Sequence, residues 1–344
     1  MIRIALIGFG YAGRVFHAPL ISATPGLALT VVGSRRTDQV TSAYPGIQVI
    51  PDPLGAIRHP DVDLVVIATP NDSHAPLADA ALAAGKHVVV DKPFTLTLAE
   101  ARALAAKSTE VARVLSVFQN RRWDSDFLAV ARELRAGRIG EALEFRSEMS
   151  RYRPVVRDRW RERAGPGSGV WYDLGPHLID QAMVLFGPPE SIQADLQIQR
   201  AGGATTDWFH AVLGYRATRV ILLSSMIAAD SPARFLVRGS KGSLIKPRGD
   251  VQEDQLMREE KPGASGWGHD PDPLLLVTGK EEPAIRIDAP AGNYPAYYSA
   301  LRDAILGKGQ PPVTPTEAVT LMAVLEAGIR SSGEGRVVRP LYNE

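Results

Sequence analysis

The chain contains no cysteine. That excludes a disulfide scaffold, a thiol nucleophile and a thiolate metal site, and it fits a reducing compartment. Neither sign of charge is in excess: 39 Lys and Arg against 38 Asp and Glu leave a formal net charge of +1. Such a balance does not favour nucleic acid or an anionic membrane surface as a partner. No apolar run reaches membrane-spanning length, and neither an internal repeat nor a low-complexity segment is visible. No charged-then-apolar leader opens the sequence, because Ile2–Ile7 already reads as a buried strand. The cytoplasm is therefore the expected location. What is present is an ordinary globular composition, 45% apolar and 22% charged. Its 344 residues are more than one core usually serves, so two domains are expected.

Ile2–Ile7 suits a strand covered on both faces. It runs into Gly8-Phe9-Gly10-Tyr11-Ala12-Gly13, a G-x-G-x-x-G set between that strand and a helix pattern over residues 14–23. Gly8 permits the tight turn, Gly10 lets the backbone approach a pyrophosphate, and Gly13 lets helix and strand pack closely. The helix N-terminus then faces the anion. A second strand, 29–34, ends in Ser34-Arg35-Arg36, where NAD-binding proteins usually carry an acid for the ribose 2′-hydroxyl. One hydroxyl and two guanidinium groups suit a 2′-phosphate, so NADP(H) is preferred. Asp38, close by, keeps NAD(H) as the alternative.

Strands at 63–68, 87–91 and 114–118 alternate with helices at 75–84, capped by Ser73, and 98–107, capped by Thr97. Their tips carry Thr69-Pro70-Asn71 with His74, then Asp91-Lys92-Pro93, then Asn120-Arg121, at the carboxyl edge where such sheets bind ligands. The expected fold is an α/β Rossmann domain, a doubly wound parallel sheet, over residues 1–120. An α+β domain with a largely antiparallel sheet and C-terminal helices should follow at 121–344, because strand-like runs at 142–150, 192–199, 208–215, 220–226 and 235–239 come in succession.

Residues 169–180 read as the start of a helix that stops at Gly187-Pro188-Pro189 and covers one face of that sheet. Asp173 would be its N-cap, and Pro176 would sit in the first turn, where a missing N–H costs nothing. Asp173 and His177 are four apart and converge on one side. Asp180 either binds a substrate hydroxyl or partners His177. The charge run 157–163 reads by itself as a solvated face.

Taken in order, the Gly-rich turn, Thr69-Pro70-Asn71 with His74, Asp91-Lys92-Pro93, Asn120-Arg121 and the 169–180 stretch resemble the Gfo/Idh/MocA family. These are NAD(P)-dependent dehydrogenases of sugars and cyclitols, and the resemblance covers essentially the whole chain. Asp91 stands where the family often has Glu, which keeps the charge. Phe16-His17-Ala18-Pro19, Gly165-Pro166-Gly167-Ser168-Gly169 and Gly292-Asn293-Tyr294-Pro295-Ala296-Tyr297-Tyr298 bring the chain nearest an NADP-dependent branch that includes scyllo-inositol dehydrogenases.

The resemblance implies a Lys-Asp-His group, matched by Lys92, Asp173 and His177. Lys92 would donate to the reacting oxygen, as an oxyanion donor does, and Asp173 would orient the substrate. His177 is the natural base, since an imidazole titrates near about 6.5. Which of Lys92 and His177 takes the proton first stays open. Trp160 and Arg161 resemble the family's flap over the cofactor. Arg121, Tyr152, Asp180 and Tyr297 are further substrate candidates. A metal held by Asp173, His177 and Asp180 is a weak signal, and none is expected. The family commonly pairs two copies through the antiparallel sheet, which makes a homo-oligomer the expected assembly.

The expected activity is NADP-dependent hydride transfer at a secondary alcohol or ketone of a cyclitol or sugar, with scyllo-inositol and its inosose foremost. Two other classes stay open on the same fold. A glycoside hydrolase that uses NAD transiently would show no net redox turnover. A non-catalytic, cofactor-dependent sugar sensor would be expected to lack Lys, Asp or His, and all three are here.

Overall fold

The computed structural model describes residues 1–279 and 281–342. They form two compact units. The first comprises Met1–Asn120, Gln252–Trp267 and Asn293–Val319, and the second the described residues of Arg121–Val251, Gly268–Gly292 and 320–342. Among the described residues no helix is long and apolar enough to cross a membrane.

The first unit is built on six parallel strands: β1 (Ile2–Ile7), β2 (Leu27–Gly33), β3 (Gln48–Ile50), β4 (Leu64–Ile67), β5 (His87–Val90) and β6 (Leu115–Val117). Their order is β3-β2-β1-β4-β5-β6. Helical segments cover the sheet, so Ile4, Leu6, Val65, Val66, Val88 and Val89 are all 0% exposed. The order reverses between β1 and β4, which opens a crevice at their carboxyl ends.

Two local readings are corrected. The helix after the Gly-rich turn opens as a π-helical turn, Ala12–His17, continued by α-helix Ala18–Ala23. Ser73 does not cap the next helix, His74–Ala83, because its hydroxyl bonds Thr69 Oγ1 and the Pro70 carbonyl at 2.6 and 2.7 Å. Thr97 does cap helix Leu98–Glu110, through a capping box with Glu100. Segments 252–267 and 293–319, read from the sequence as part of the second half, return to this unit. There Tyr298 meets His17, and Tyr297 donates its hydroxyl to Ser116 of β6.

The second unit carries eight strands: β7 (Ala142–Glu148), β8 (Ser191–Gln197), β9 (Trp208–Gly214), β10 (Arg219–Ser225), β11 (Phe235–Gly239), β12 (Gly242–Lys246), β13 (Leu274–Val277) and β14 (Ile285–Ile287). The order is β14-β13-β12-β11-β7-β10-β9-β8, and among the described residues only the β7–β10 pairing of this sheet is parallel. Helix Gly169–Phe186 packs on β9 and β10, over the buried Phe209, Ala211, Val220 and Leu222.

That helix starts earlier than the sequence implies. Its N-cap position is Ser168, so Asp173 is not a cap and Pro176 lies in the interior. The start is fixed from outside: the Val170 amide donates to the Thr206 carbonyl at 2.8 Å. Gly169 stands at φ +85°, where a Cβ would come within 2.6 Å of Thr205 Oγ1. Pro176 removes a helical hydrogen bond, at a cost of about 3 kcal/mol. Full burial of Trp171, Leu174 and Leu178, each contributing roughly 1.5–3 kcal/mol, outweighs it.

Two outcomes follow for stability. Gly8 stands at φ +97°, and a Cβ there would lie 2.6 Å from the Ala68 carbonyl oxygen. Gly8→Ala should destabilise the fold by about 1–3 kcal/mol, read as a lower urea midpoint. His87 Nδ1 accepts the Val114 amide at 3.0 Å. Burial, helped by Arg113, holds its pKa below the ordinary value. Its contribution is therefore full above about 6.5, the unfolded value, and is lost as pH falls toward the lower folded value. Urea midpoints taken on either side of that value should decline on the acid side, and His87→Gln should flatten the decline.

Candidate active site

At the Gly-rich turn the three glycines do different work. A Cβ on Gly13 would come within 2.1 Å of the Gly8 carbonyl oxygen, whereas a Cβ on Gly10 would meet nothing within 4 Å. Gly10 thus faces open space at the start of a helical run, the cradle an anionic diphosphate needs. Phe9 is buried with its ring edge-on to Tyr44 at 6.2 Å, so only its backbone is left for a ligand. Ala12 opens the π-helical turn, and Tyr11 donates its hydroxyl to Glu253 at 2.9 Å. Beyond β2, Ser34 Oγ accepts the Arg36 amide at 3.1 Å, which shapes the turn, and the Arg35 and Arg36 side chains are exposed. These residues fit a dinucleotide.

The tips of β4, β5 and β6 carry the remaining predicted residues of the first unit. Asn71 and Asn120 are buried, and Thr69 and Lys92 are half-buried. His74, read as a cofactor residue, is 1% exposed and has both ring nitrogens on backbone carbonyls. Asp91 Oδ1 accepts the Lys92 amide at 2.8 Å, and Oδ2 lies 3.9 Å from His17 Nε2. Burial raises the Asp91 pKa, but His17, Lys92 and His74 more than compensate and hold it below the usual carboxylate range. Tyr297 is 0% exposed, its hydroxyl donating to Ser116 Oγ at 3.0 Å. Packing in the first unit's core accounts for it without a substrate.

In the second unit Asp173, His177 and Asp180 share one face of helix Gly169–Phe186. Asp173 Oδ1 lies 3.5 Å from Arg161 Nε, and the Arg161 guanidinium sits 4.5 Å from the centre of the Trp160 ring. His177 is buried at 4% exposure. Asp180 takes a bidentate pair of hydrogen bonds from Arg122, at 2.9 and 2.8 Å. Arg122 is a partner the sequence reading did not name for this carboxylate. Among the described residues no group of three or more metal-ligating side chains gathers.

The sequence reading missed the polar network behind this face. Arg121 donates to Asp124 at 3.3 Å, and its carbonyl accepts from Gln181 at 2.8 Å. Gln181 in turn accepts from Arg234 at 2.6 Å, and Arg234 Nε lies 3.1 Å from Asp126. Burial pulls the Arg234 pKa down, and Asp126 and Asp124 oppose it. The visible signal was Asp180-Gln181, a polar pair on the apolar face of a helix. The run 157–163 is not a plain solvated face either. Glu162 is 7% exposed and accepts from the Arg157 amide and Arg159, with Arg200 Nη1 3.0 Å away. Tyr152 is 62% exposed.

The oxidoreductase-family model for an NAD-binding Rossmann fold matches residues 2–119, and the same family's C-terminal alpha/beta domain matches residues 131–339. The chain is 50% identical over 333 residues to the uncharacterized oxidoreductase YdgJ of Escherichia coli (strain K12), covering 96% of each chain. It is 34% identical over 341 residues to the scyllo-inositol 2-dehydrogenase (NADP(+)) IolW of Bacillus subtilis (strain 168), covering 98% of this chain and 95% of that one. A crystal structure of an oxidoreductase from Bacillus cereus aligns at TM-score 0.90, with 28% identity and 100% of both chains covered.

Gly10→Ala separates binding from folding. It should leave stability within about 0.5 kcal/mol, because nothing in the protein opposes the methyl group. It should weaken binding of the dinucleotide by about 10-fold or more, since the backbone can no longer approach the diphosphate. Urea midpoints check the first half and calorimetric titration with NADP⁺ and NAD⁺ the second; unchanged affinity would remove Gly10 from the binding turn.

Proposed function

The chain belongs to the Gfo/Idh/MocA family and is an oxidoreductase, and from that premise we propose that it transfers a hydride between NADP(H) and a secondary alcohol or ketone of a cyclitol or sugar, scyllo-inositol and its inosose first. The observation that carries the substrate class is the 34% identity, over 98% of the chain, to an NADP⁺-dependent scyllo-inositol 2-dehydrogenase. The preference for NADP(H) is supported by exposed Arg35 and Arg36 beyond β2, where an acid for the 2′-hydroxyl would otherwise stand.

Nicotinamide, when bound, supplies hydride exchange at carbon. The cofactor would be held by Gly8–Gly13, by Ser34-Arg35-Arg36, by the Thr69-Pro70-Asn71 and Asp91-Lys92-Pro93 turns, by Asn120-Arg121, and by Trp160 and Arg161. Lys92, whose amide is fixed by the Asp91 carboxylate, donates to the reacting oxygen and stabilises its developing negative charge. His177 exchanges the hydroxyl proton as general base or acid. Asp173, salt-bridged to Arg161, orients the substrate by accepting from its hydroxyl groups, which discriminates polyols from analogues lacking them.

We propose further that two copies associate through the sheet face opposite helix Gly169–Phe186. Trp208, His210, Val212, Ile221 and Leu223 lie half-exposed on that side of β9 and β10. Sedimentation equilibrium checks this, and a monomer at micromolar concentration would overturn it.

A panel of inositols, inososes and aldoses with each cofactor, followed by nicotinamide absorbance, tests the activity. Turnover of an inositol or inosose is expected, with a lower KM for NADPH than for NADH. Lys92→Met and His177→Ala should each lower kcat by about 10²–10⁴-fold. Wild-type turnover in Lys92→Met would sink the assignment of the site, and a lower KM for NADH would sink the cofactor preference.

A further inference from the structure

His74 opens helix His74–Ala83 and is 1% exposed. Its Nδ1 lies 2.8 Å from the Pro93 carbonyl oxygen and its Nε2 lies 3.0 Å from the Thr69 carbonyl oxygen. A carbonyl oxygen only accepts, and a neutral imidazole has only one N–H. A neutral His74 would therefore leave one ring lone pair facing a carbonyl lone pair in a buried place, where unsatisfied polar atoms are most unfavourable. A doubly protonated ring satisfies both carbonyls at once.

We propose that His74 is a positioning residue held as an imidazolium, whose two N–H groups clasp the turn after β4 to the turn after β5, with Asp91 as its counter-charge. The clasp joins Thr69-Pro70-Asn71 to Asp91-Lys92-Pro93, so the candidate catalytic lysine and the neighbouring cofactor turn keep one relative setting. The effect on turnover rests on the reading of Lys92 given above; the protonation state of the ring does not.

A buried cation needs a partner, and the nearest candidate in the chain is Asp91, two residues before the Pro93 whose carbonyl His74 meets. Its carboxylate is 8% exposed, and the attraction of His74 is among the forces that keep it ionised. The other groups facing this pair have settled roles. Lys92 takes Asp91 Oδ1 through its amide. His17, fully buried, has Nδ1 2.6 Å from the Tyr298 hydroxyl and Nε2 3.9 Å from Asp91 Oδ2. Burial, with Tyr297 and Asp91 nearby, pushes the Tyr298 hydroxyl well up, so it keeps its proton beside His17. Asp72, on the turn that leads into His74, is exposed to solvent.

Long-range ¹H–¹⁵N correlation of the histidine rings in the ¹⁵N-labelled full chain tests the protonation state, with the His74 signals assigned by their loss in His74→Gln. Both His74 ring nitrogens should read as protonated at about pH 8, well above the ordinary imidazole titration near about 6.5. Asp91→Asn should convert one of them to the unprotonated form at the same pH. His74→Gln should lower kcat by about 10²-fold, the size expected of a misplaced reacting group, with a smaller change in the KM for NADPH. A neutral ring in the wild-type protein, or a doubly protonated ring unmoved in Asp91→Asn, overturns the ion pair; the His74 ring is also assignable by backbone-to-ring correlation in the wild-type protein, so neither reading requires the His74 variant to fold. Wild-type kcat in a folded His74→Gln overturns the positioning role. Full turnover in Lys92→Met with the imidazolium intact would instead fall on the assignment of Lys92.

Discussion

A parallel sheet sealed on both faces leaves chemistry only one place to go. The strands of the first unit are apolar along their length because helical segments cover both sides, and their backbone groups are consumed by the ladder. Polar side chains therefore appear where strands end. Ser34, Thr69, Asn71, Asp91, Lys92 and Asn120 all follow a strand's last residue by a few positions. The Gly8–Gly13 turn obeys the same constraint, because its tightness is set by contact with the Ala68 backbone at the neighbouring tip. The positions of these residues follow from where a strand stops.

The second unit solves a different problem. Its candidate face lies on a helix that must also pack against a sheet, so polar groups are drawn into the interior. They are held in pairs: Asp180 with Arg122, Asp126 with Arg234, and Asp270 with Lys246 at 3.0 Å. Buried pairs of this kind contribute little net stability, because desolvation offsets their attraction. Their geometric demand is nonetheless strict. The bidentate Arg122–Asp180 contact and the Gln181 bridge to Arg121 and Arg234 fix the rotation of helix Gly169–Phe186, and with it the direction in which Asp173 and His177 point.

Much of this was legible in the sequence because the deciding interactions are local. The Gly-rich turn, the Thr97–Glu100 capping box and the valine-rich strands need only near neighbours. The misreadings share the opposite cause. Gly169 starts a helix because Thr205 and Thr206 crowd it, some 36 residues away in sequence. Arg122, the partner the sequence did not reveal for Asp180, lies 58 residues before it. Tyr297 looked like a polar ring near a site until Ser116, 181 residues earlier, proved to be its partner. Ser73 is the local exception, since its hydroxyl donates to the Pro70 carbonyl three residues back instead of accepting from the helix. The short strands β3, β13 and β14 carry too few residues for alternation to register.

The first unit's discontinuity bears on how the chain is made. Residues 1–120 hold every strand of its sheet, yet His17 and Phe118 receive their aromatic cover from Tyr297 and Tyr298. During synthesis the nascent sheet would leave the ribosome with that flank bare, and the intervening unit would emerge before the flank is covered. The same interleaving limits recombination: a cut after Asn120 severs the sheet from its own aromatic cover, so exchanging the dinucleotide-binding half between relatives requires carrying 252–267 and 293–319 along with it.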